Sequence, residues 1–454
     1  MTSTSLPLDG VTVVALEQAV AAPLATRNLA DLGARVIKVE RIDGGDLARG
    51  YDTGVHGTGA HFVWLNRGKE SVAIDLKTDA GRDAVRRLVS RADVFIQNLA
   101  PGAAERLGLG SGALRAEQPE LITVDLSGFG RGGPFEDRKA YDMLIQAEAG
   151  LISITGTPDT PVKTGIPTAD IASGMYCAQA VLAALFRRTK TGEGAAVEVS
   201  MLEATVEWMG HAVYTRKYAG VQPPRMGLSH VSISPYDAYP TSDGQVLIGV
   251  QSESGWRSLA RDVLGAPELI DDPRFVSNIE RVRNRSDCDA EVGARTARWT
   301  SEELDARLVA AGIPAAQIKD VGQTVDHPQL RARNRWRTIP TEFATVEALL
   351  PPVTFDDVDA AMGAVPALGE HTRDLLAEIG LDTHTVHELV ATGVVHQASV
   401  HSPVQAHWPD STTTKGQGHA DRTYSGDHRG CARYRIGDRA DFRRARRPSG
   451  DRRP

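Results

Sequence analysis

Short apolar runs alternate with longer amphipathic stretches through the first 200 positions of the chain. The runs lie at residues 11–16, 34–40, 71–76, 92–97, 121–126 and 196–200. Helical spacing lies between them, at residues 24–32, 79–91, 112–118, 142–150 and 170–188. Runs that are apolar at nearly every position suit parallel strands, because helices cover both faces of a parallel sheet. The pattern predicts a doubly wound α/β fold.

The pattern changes after residue 200. A helix from Met201 to about Tyr218 leads to a proline-containing break at residues 220–226. Short strands and three helices follow, the last one capped by Ser301, and they predict a smaller α+β unit. Two more helices are predicted at residues 372–379 and 385–392. We therefore divide the chain into a large domain over 1–222, a small domain over 223–325, a return to the large domain over 326–395 and a tail over 396–454.

The composition excludes several classes of protein. The 454 residues are 41% hydrophobic and carry 51 basic against 58 acidic side chains, a net charge of −7. This acidic balance argues against general binding to nucleic acid or to a membrane surface. No apolar run approaches the roughly 18 residues of a membrane span, and the first residues lack the features of an export signal. Three distant cysteines indicate neither a disulfide framework nor a metal site, so we expect a cytoplasmic, metal-free enzyme.

The tail differs in charge from the rest of the chain. Residues 396–454 contain one lysine and eleven arginines against six aspartates, with no leucine and no glutamate. The tail therefore carries +6, and residues 1–395 carry −13. Such a composition buries too little apolar surface to offset the entropy of ordering, so we predict a disordered appendage, out of frame or otherwise appended. The alternative is a basic arm that binds a polyanion.

A dinucleotide site is the first function that the strand pattern suggests. Glu40 closes the second strand, as an acidic residue does in such sites. The loop after the first strand, residues 17–23, contains no glycine, although a pyrophosphate needs close approach to the backbone there. The G-x-G-x-x-G match at residues 128–133 precedes Pro134 rather than a helix. We therefore expect no NAD.

Several phrases together resemble the class III CoA-transferase family of the CaiB/BaiF type. They are LDG (8–10), DLGARVIKVER (31–41), GGD (44–46), NRGKESVAIDLK (66–77), ADVFIQNLAPG (92–102), ERLGL (105–109), SGFGRGGP (127–134), KAYD (139–142), TGEG (191–194) and PALGEHTRDLLAEIGL (366–381). The resemblance runs from about residue 7 to Val395. It implies a Rossmann-like large domain, an inserted small domain and two subunits interlocked as a homodimer. It also implies that CoA and acyl-CoA are substrates, with no permanently bound cofactor.

Asp170 matches the nucleophilic aspartate of that family. A carboxylate can attack a thioester carbonyl and form a mixed anhydride, which the released thiolate converts to an aspartyl-CoA thioester. The alternative is structural, because Asp170 directly precedes an apolar helix and would make a good N-cap. The two roles are compatible. A helix N-terminus would keep the carboxylate ionised and would supply N–H groups for an oxyanion.

The resemblance also implies a set of CoA contacts, for which phosphates need cations and peptide N–H groups. The positions are Gln18, Ala19, Val20, Ala21, Arg41, Ile74, Leu76, Asn98, Arg106 and Lys139. The arginines could also be ordinary surface charges, and Asn98 could belong to a turn. Members that bind oxalate-like acids carry a run of glycines in the small domain. Residues 250–256 read VQSESGW here, so we do not expect a mobile glycine lid.

Racemases of 2-methylacyl-CoA belong to the same fold family and are the alternative activity. They carry a histidine where this chain has Tyr141, and a phenol is a poor base at neutral pH. We therefore favour CoA transfer, without exchange of an α-proton. A protein that binds CoA without catalysis is a further alternative, which the intact Asp170 disfavours.

The phrases at residues 230–250, 271–275 and 327–333 resemble the branch that transfers CoA from succinyl-CoA to small dicarboxylates. The candidate acceptors are itaconate, malate, citramalate, mesaconate and glutarate, with carnitine-like or aromatic acids as alternatives. A second carboxylate would need a cation, for which Arg27, Arg225 and His230 are candidates.

Overall fold

Seven strands form a large sheet in which six neighbouring strands run parallel. The protein is represented by a computed structural model, which describes residues 5–398. The strands are β1 (Thr12–Leu16), β2 (Arg35–Glu40), β3 (Lys69–Ile74), β4 (Val94–Gln97), β5 (Ile122–Ser127), β6 (Ala196–Ser200), β7 (Tyr236–Pro240), β8 (Gln245–Gly249), β9 (Ala315–Gln317), β10 (Trp336–Pro340), β11 (Thr345–Leu349) and β12 (Val395–His396). The large sheet has the order β12-β3-β2-β1-β4-β5-β6, and only β12 is antiparallel to its neighbour. All six apolar runs predicted from the sequence are strands of this sheet.

The helices fill the connections between the strands. They are α1 (Ala21–Asp31), α2 (Ala60–Asn66), α3 (Asp79–Val89), α4 (Ala103–Arg106), α5 (Ser111–Glu117), α6 (Asp142–Glu148), α7 (Leu151–Ile154), α8 (Thr168–Thr191), α9 (Met201–Trp208), α10 (Gly210–Tyr214), α11 (Glu253–Ser258), α12 (Asn278–Arg283), α13 (Arg285–Thr296), α14 (Ser301–Ala310), α15 (Val321–Val325), α16 (Pro328–Ala332), α17 (Thr372–Glu378) and α18 (Thr383–Ala391). Helices α10 and α11 each continue into a π-helical turn.

Both faces of the large sheet are buried. On β1, the side chains of Val13 and Ala15 pack with helices α1 and α8 on one face. The side chains of Val14 and Leu16 pack with α3 and α17 on the other face. Successive side chains of a strand point to opposite faces, so burial on both sides requires an apolar residue at every position. This explains the uninterrupted apolar runs, and it confirms the mixed α/β architecture.

Helix α8 packs closely against α1 in the core. Gly174 makes the approach possible, because a Cβ atom at that position would lie 2.5 Å from the carbonyl oxygen of Ala21. In the described part of the chain, α8 is the one helix whose length and mean hydropathy of 1.4 would suit a membrane span. Its residues Cys177 and Val181 are fully buried in the core, which accounts for this apolar composition.

A second, antiparallel sheet has the order β7-β8-β9 and its own core. Its buried side chains, among them Tyr239, Trp256 and Leu308, all come from residues 239–313. These residues lie within the segment that we predict to be the small domain, whose boundaries remain a prediction. Strands β10 and β11 pair as a separate hairpin.

Three local features differ from the expectations. Thr300, not Ser301, caps α14, and it forms a capping box with Glu303. Ordered structure continues past the predicted boundary at Val395, because His396 pairs with Ala73 in the edge strand β12. Helix α2 was not predicted, since a seven-residue helix gives little periodicity. The proposed disordered tail otherwise lies outside the described residues.

Buried charges lie beneath the loop between β1 and α1. Lys38, in the middle of β2, is fully buried and places its Nζ 2.7 Å from Asp46 Oδ2 and 3.3 Å from Glu17 Oε1. Lys69, at the start of β3, contacts the same Glu17 oxygen at 2.7 Å. Burial alone would raise the pKa of Glu17, but Lys69 and Lys38 outweigh it and hold the pKa below its ordinary value.

A second set of bonds continues this buried ion network. Arg49 donates through Nε and Nη2 to both carboxylate oxygens of Glu40, and Ser71 donates to one of them. Glu40 in turn accepts the backbone N–H of Asp46. Three acidic side chains therefore meet three basic ones inside the protein. Buried charges of this kind are tolerated only when they are paired and hydrogen-bonded.

We expect Lys38→Met to destabilise the protein by about 3 to 5 kcal/mol, because it leaves the buried carboxylate of Asp46 without a cationic partner and removes one of the two lysines that hold Glu17. The change in unfolding free energy can be measured by urea denaturation. Arg87→Met is the matched control, because the Arg87–Asp83 pair is exposed and such pairs contribute about 0 to 1 kcal/mol. Equal losses for the two variants would contradict the role of the network.

Candidate active site

Two adjoining cavities open at the carboxyl ends of the parallel strands. The order of the strands reverses between β1 and β4, and ligands in open α/β sheets bind at such a point. One cavity has a volume of about 590 Å³ and contains Asp170, so we name it the Asp170 cavity. The other has a volume of about 460 Å³ and lies beyond the ends of β1, β2 and β3. Gln18 and Leu99 line both cavities, and therefore join them.

The structure brings most of the predicted residues to these two cavities. The Asp170 cavity is lined by the predicted residues Gln18, Ala19, Val20, Ala21, Asn98 and Lys139. The second cavity is lined by the predicted residues Gln18, Arg41, Ile74 and Leu76. Arg106 lines neither cavity. It is an exposed residue at the end of α4, and its guanidinium donates to the carbonyl of Pro101.

The three cations considered for a second carboxylate do not line the Asp170 cavity. Arg27 is buried beside Asp31, and Arg225 donates to the carbonyl oxygens of Thr157 and Pro158. His230 stacks on Tyr236, with ring centroids 5.2 Å apart. The basic side chains that do line this cavity are His61, Arg138 and Lys139. Sequence spacing did not identify His61 or Arg138, because they come from a short helix and from a loop.

Asp170 is the third residue of α8 and does not precede the helix, which corrects its expected position as N-cap. The carboxylate of Asp142, the first residue of α6, accepts the backbone N–H of Ala169 at 2.8 Å and of Asp170 at 3.3 Å. The N–H of Thr168 and of Ile171 bond to nearby carbonyl oxygens. The N–H groups that we expected to stabilise an oxyanion are therefore already engaged.

The same arrangement corrects the expected ionisation of Asp170. Burial raises its pKa to about 7, and the negative charge of Asp142 adds to the effect. Among the described residues, none donates a hydrogen bond to the Asp170 carboxylate. The helix N-terminus cannot compensate, because the Asp142 carboxylate already occupies it. Asp170 is thus a poorly solvated carboxyl group without protein partners, which favours reactivity toward a bound molecule.

The loop that separates the two cavities is held by side chains on both sides. Asn98, directly after β4, accepts the N–H of Gln18 at 3.0 Å and donates to its carbonyl oxygen at 2.9 Å. Ala19 has a φ of +64°, a strained conformation for a residue other than glycine, and its N–H donates to Asp46 of the buried ion network. The side chain of Asn98 is therefore committed to positioning the loop. Asp46 was not predicted as a site residue, although it ends the GGD phrase.

We expect Asp170→Asn to stabilise the protein above pH 7 by about 2 to 4 kcal/mol. The folded-state pKa lies above that of the unfolded chain, so ionisation costs stability increasingly between about pH 4 and 7 and fully above it. Unfolding free energies of both proteins at pH 5 and pH 8 test this. Asp159→Asn, at an exposed position, is the control. A gain that is equal at the two pH values would contradict the raised pKa.

Comparison with known proteins agrees with this arrangement. The sequence profile described as CoA-transferase family III matches residues 8–372. The succinate–glutarate CoA-transferase of Agrobacterium fabrum is 34% identical over 383 residues, which cover 82% of this chain and 96% of the relative. The succinyl-CoA:mesaconate CoA-transferase of Haloarcula hispanica is 33% identical over 391 residues, which cover 83% of this chain and 98% of the relative.

A solved structure extends the likeness to the fold. The crystal structure of a CaiB/BaiF family protein from Brucella suis superimposes with a TM-score of 0.73 at 36% identity, and the match covers 83% of this chain and all of that one. The profile match at residues 8–372 includes strands β1 to β11. The chain belongs to the class III CoA-transferase family and is a CoA-transferase.

Proposed function

We propose that Asp170 is the nucleophile of CoA transfer. The observation that carries this proposal is a largely buried carboxyl group, free of hydrogen bonds from the described residues, that faces a cavity large enough for a small acyl group. A carboxylate that has lost its hydration and has no protein donors is a stronger nucleophile than a solvated one.

The reaction proceeds in four balanced steps. Asp170 attacks the carbonyl carbon of the donor thioester, the C–S bond breaks, and CoA leaves as a thiolate. The thiolate attacks the aspartyl carbonyl of the mixed anhydride and releases the donor acid, which leaves an aspartyl-CoA thioester. The acceptor carboxylate attacks this thioester and again releases CoA thiolate. The thiolate then attacks the acyl carbonyl of the new anhydride, which yields the acceptor thioester and restores the Asp170 carboxylate.

CoA fits the pair of cavities if its thiol end enters the Asp170 cavity and its nucleotide occupies the second cavity. Arg41 lies in the second cavity, where its guanidinium is held by the carbonyl of Gly45. Lys77 also lines that cavity, and two cations suit the phosphates of CoA. Lys139 lies beside Asp170 instead. Arg106 would contact CoA only at the outer edge of the site.

We infer that the donor is succinyl-CoA and that the acceptor is a small dicarboxylate. The two related enzymes carry succinyl-CoA or succinate, together with glutarate or mesaconate, in their names. Three basic side chains line the Asp170 cavity and suit an anionic acyl group. Tyr141 also lines this cavity, where a phenol is a poor base for removing an α-proton. The site therefore supports transfer rather than racemisation.

We further infer a Rossmann-like large domain, a cytoplasmic location and an interlocked homodimer. The order β3-β2-β1-β4-β5-β6 supports the first inference. Large apolar side chains remain exposed on one side of α8 and from the end of α9 through the π-helical turn after α10, and a second copy would cover them. They are Met175, Leu182, Phe186, Trp208, Tyr214 and Tyr218. Exposure of so many apolar side chains is unusual for the free surface of a monomer.

Incubation with succinyl-CoA should produce a covalent adduct on the peptide that contains Asp170, which mass spectrometry detects. The adduct should form faster as the pH rises through about 7, because only the ionised carboxylate attacks. It should be absent in Asp170→Asn and present in Asp159→Asn. A panel of itaconate, malate, citramalate, mesaconate, glutarate and oxalate should discharge it selectively. Transfer activity that persists in Asp170→Asn would contradict the assignment.

Light scattering should give twice the chain mass, and the mass should not change on dilution. Subunits linked like a chain cannot separate without unfolding, so tagged and untagged dimers should not exchange subunits under native conditions. They should exchange after unfolding in urea and refolding together. A monomeric mass would contradict the dimer, and rapid native exchange would contradict the interlocking.

A further inference from the structure

His61 occupies a distinctive position in the Asp170 cavity. It is the second residue of α2 and is partly buried, whereas Arg138 and Lys139 are exposed. Two aromatic rings meet its imidazole edge-on. Tyr51 lies with its ring centroid 5.8 Å away at an interplanar angle of 78°, and Trp64 lies 6.3 Å away at 63°. These contacts restrict the orientation of the imidazole without using its nitrogen atoms.

Both ring nitrogens of His61 lack hydrogen-bond partners among residues 5–398. Nδ1 is buried and unpaired. The carboxylate of Asp52 accepts the backbone N–H of Gly54 and of Ala60 and forms no hydrogen bond with the imidazole. A buried polar atom without a partner costs free energy, so a bound molecule that accepted a hydrogen bond from this imidazole would recover part of that cost. In either protonation state an imidazole can donate at least one hydrogen bond.

The reaction determines which part of the acyl group a hydrogen-bond donor at His61 can contact. In both halves of the transfer an acyl group is attached to Asp170, so the acyl groups of donor and acceptor occupy the same space. A dicarboxylic acyl group carries its second carboxylate a few bonds from the reacting carbonyl. A donor on the wall of the same cavity can therefore contact that carboxylate in both half-reactions, whereas the methyl end of a monocarboxylic acyl group gains nothing from it.

We propose that His61 is a specificity-determining residue that donates a hydrogen bond to the second carboxylate of the acyl group held at Asp170. This inference rests on the proposed function and names the group that selects dicarboxylates over monocarboxylates. Lys139 and Arg138 are less suited to discrimination. They are exposed, and the guanidinium of Arg138 lies over the ring of Phe135, 3.7 Å from its centroid.

The test compares succinyl-CoA with butyryl-CoA, which has the same chain length and a methyl group in place of the second carboxylate. Rates of adduct formation at Asp170 are measured for each thioester. His61→Phe keeps the aromatic packing and removes the donor. It should slow the reaction of succinyl-CoA by about 10- to 100-fold, the loss expected for one hydrogen bond to a charged group, and leave the rate with butyryl-CoA unchanged. His61→Gln keeps an N–H donor and should recover part of the rate with succinyl-CoA.

His384→Phe is the matched control, because His384 is exposed on α18 and lies outside both cavities. It should change neither rate, and thermal unfolding should show that all variants are folded. Equal slowing of both thioesters by His61→Phe, or no slowing of either, would overturn the role of His61 while leaving Asp170 as nucleophile. Wild-type protein that forms no adduct with either thioester would instead overturn the proposed function on which this inference rests.

Discussion

The buried ion network beneath the loop between β1 and α1 is the constraint on which the two cavities depend. Glu17 extends from the end of β1, and it is held by lysines from β2 and β3. Asp46 binds one of those lysines and also the strained backbone of Ala19. The end of β1 and strands β2 and β3 are therefore held together by one set of buried charges. The loop carrying Gln18 lies next to this network and separates the Asp170 cavity from the second cavity, in which we propose that the nucleotide of CoA binds.

This arrangement has an energetic consequence. Charges inside a protein stabilise it little on balance, because desolvation offsets most of their attraction, but they penalise any arrangement that separates the partners. The main effect of the network is therefore to hold the loop in one conformation. Its net contribution to the stability of the fold is small. Asn98 restricts the same loop from the opposite side by binding both backbone groups of Gln18. A site that must align a thioester with a carboxylate benefits from such rigidity.

At the N-terminus of α8, the placement of Asp170 comes at a cost in stability. Asp142 satisfies the helix end, so Asp170 gains no stabilisation from it and remains a carboxyl group with a raised pKa. Ionised Asp170 consequently costs stability, and that cost is the counterpart of the reactivity that we propose for it. Gly174, one turn later, lets α8 approach α1 closely enough to place Asp170 beside the loop. Helix α8 thus places Asp170 at the cavity and also leaves its ionised carboxylate without stabilisation.

The sequence by itself determined the large sheet and singled out Asp170 as the candidate nucleophile. Strands buried on both faces leave an uninterrupted apolar signal, and Asp170 lies within a set of phrases that resembles a known family. The position of Asp170 within α8, its raised pKa and the engaged N–H groups depended on Asp142, which is 28 residues away along the chain. His61 and Tyr51 approach the site only through folding, and no local pattern marks them. Asp46 ends the GGD phrase, but its bond to the loop depends on the folded chain. Only the tertiary structure decided these features, because burial and charge pairing depend on neighbours that are distant in sequence.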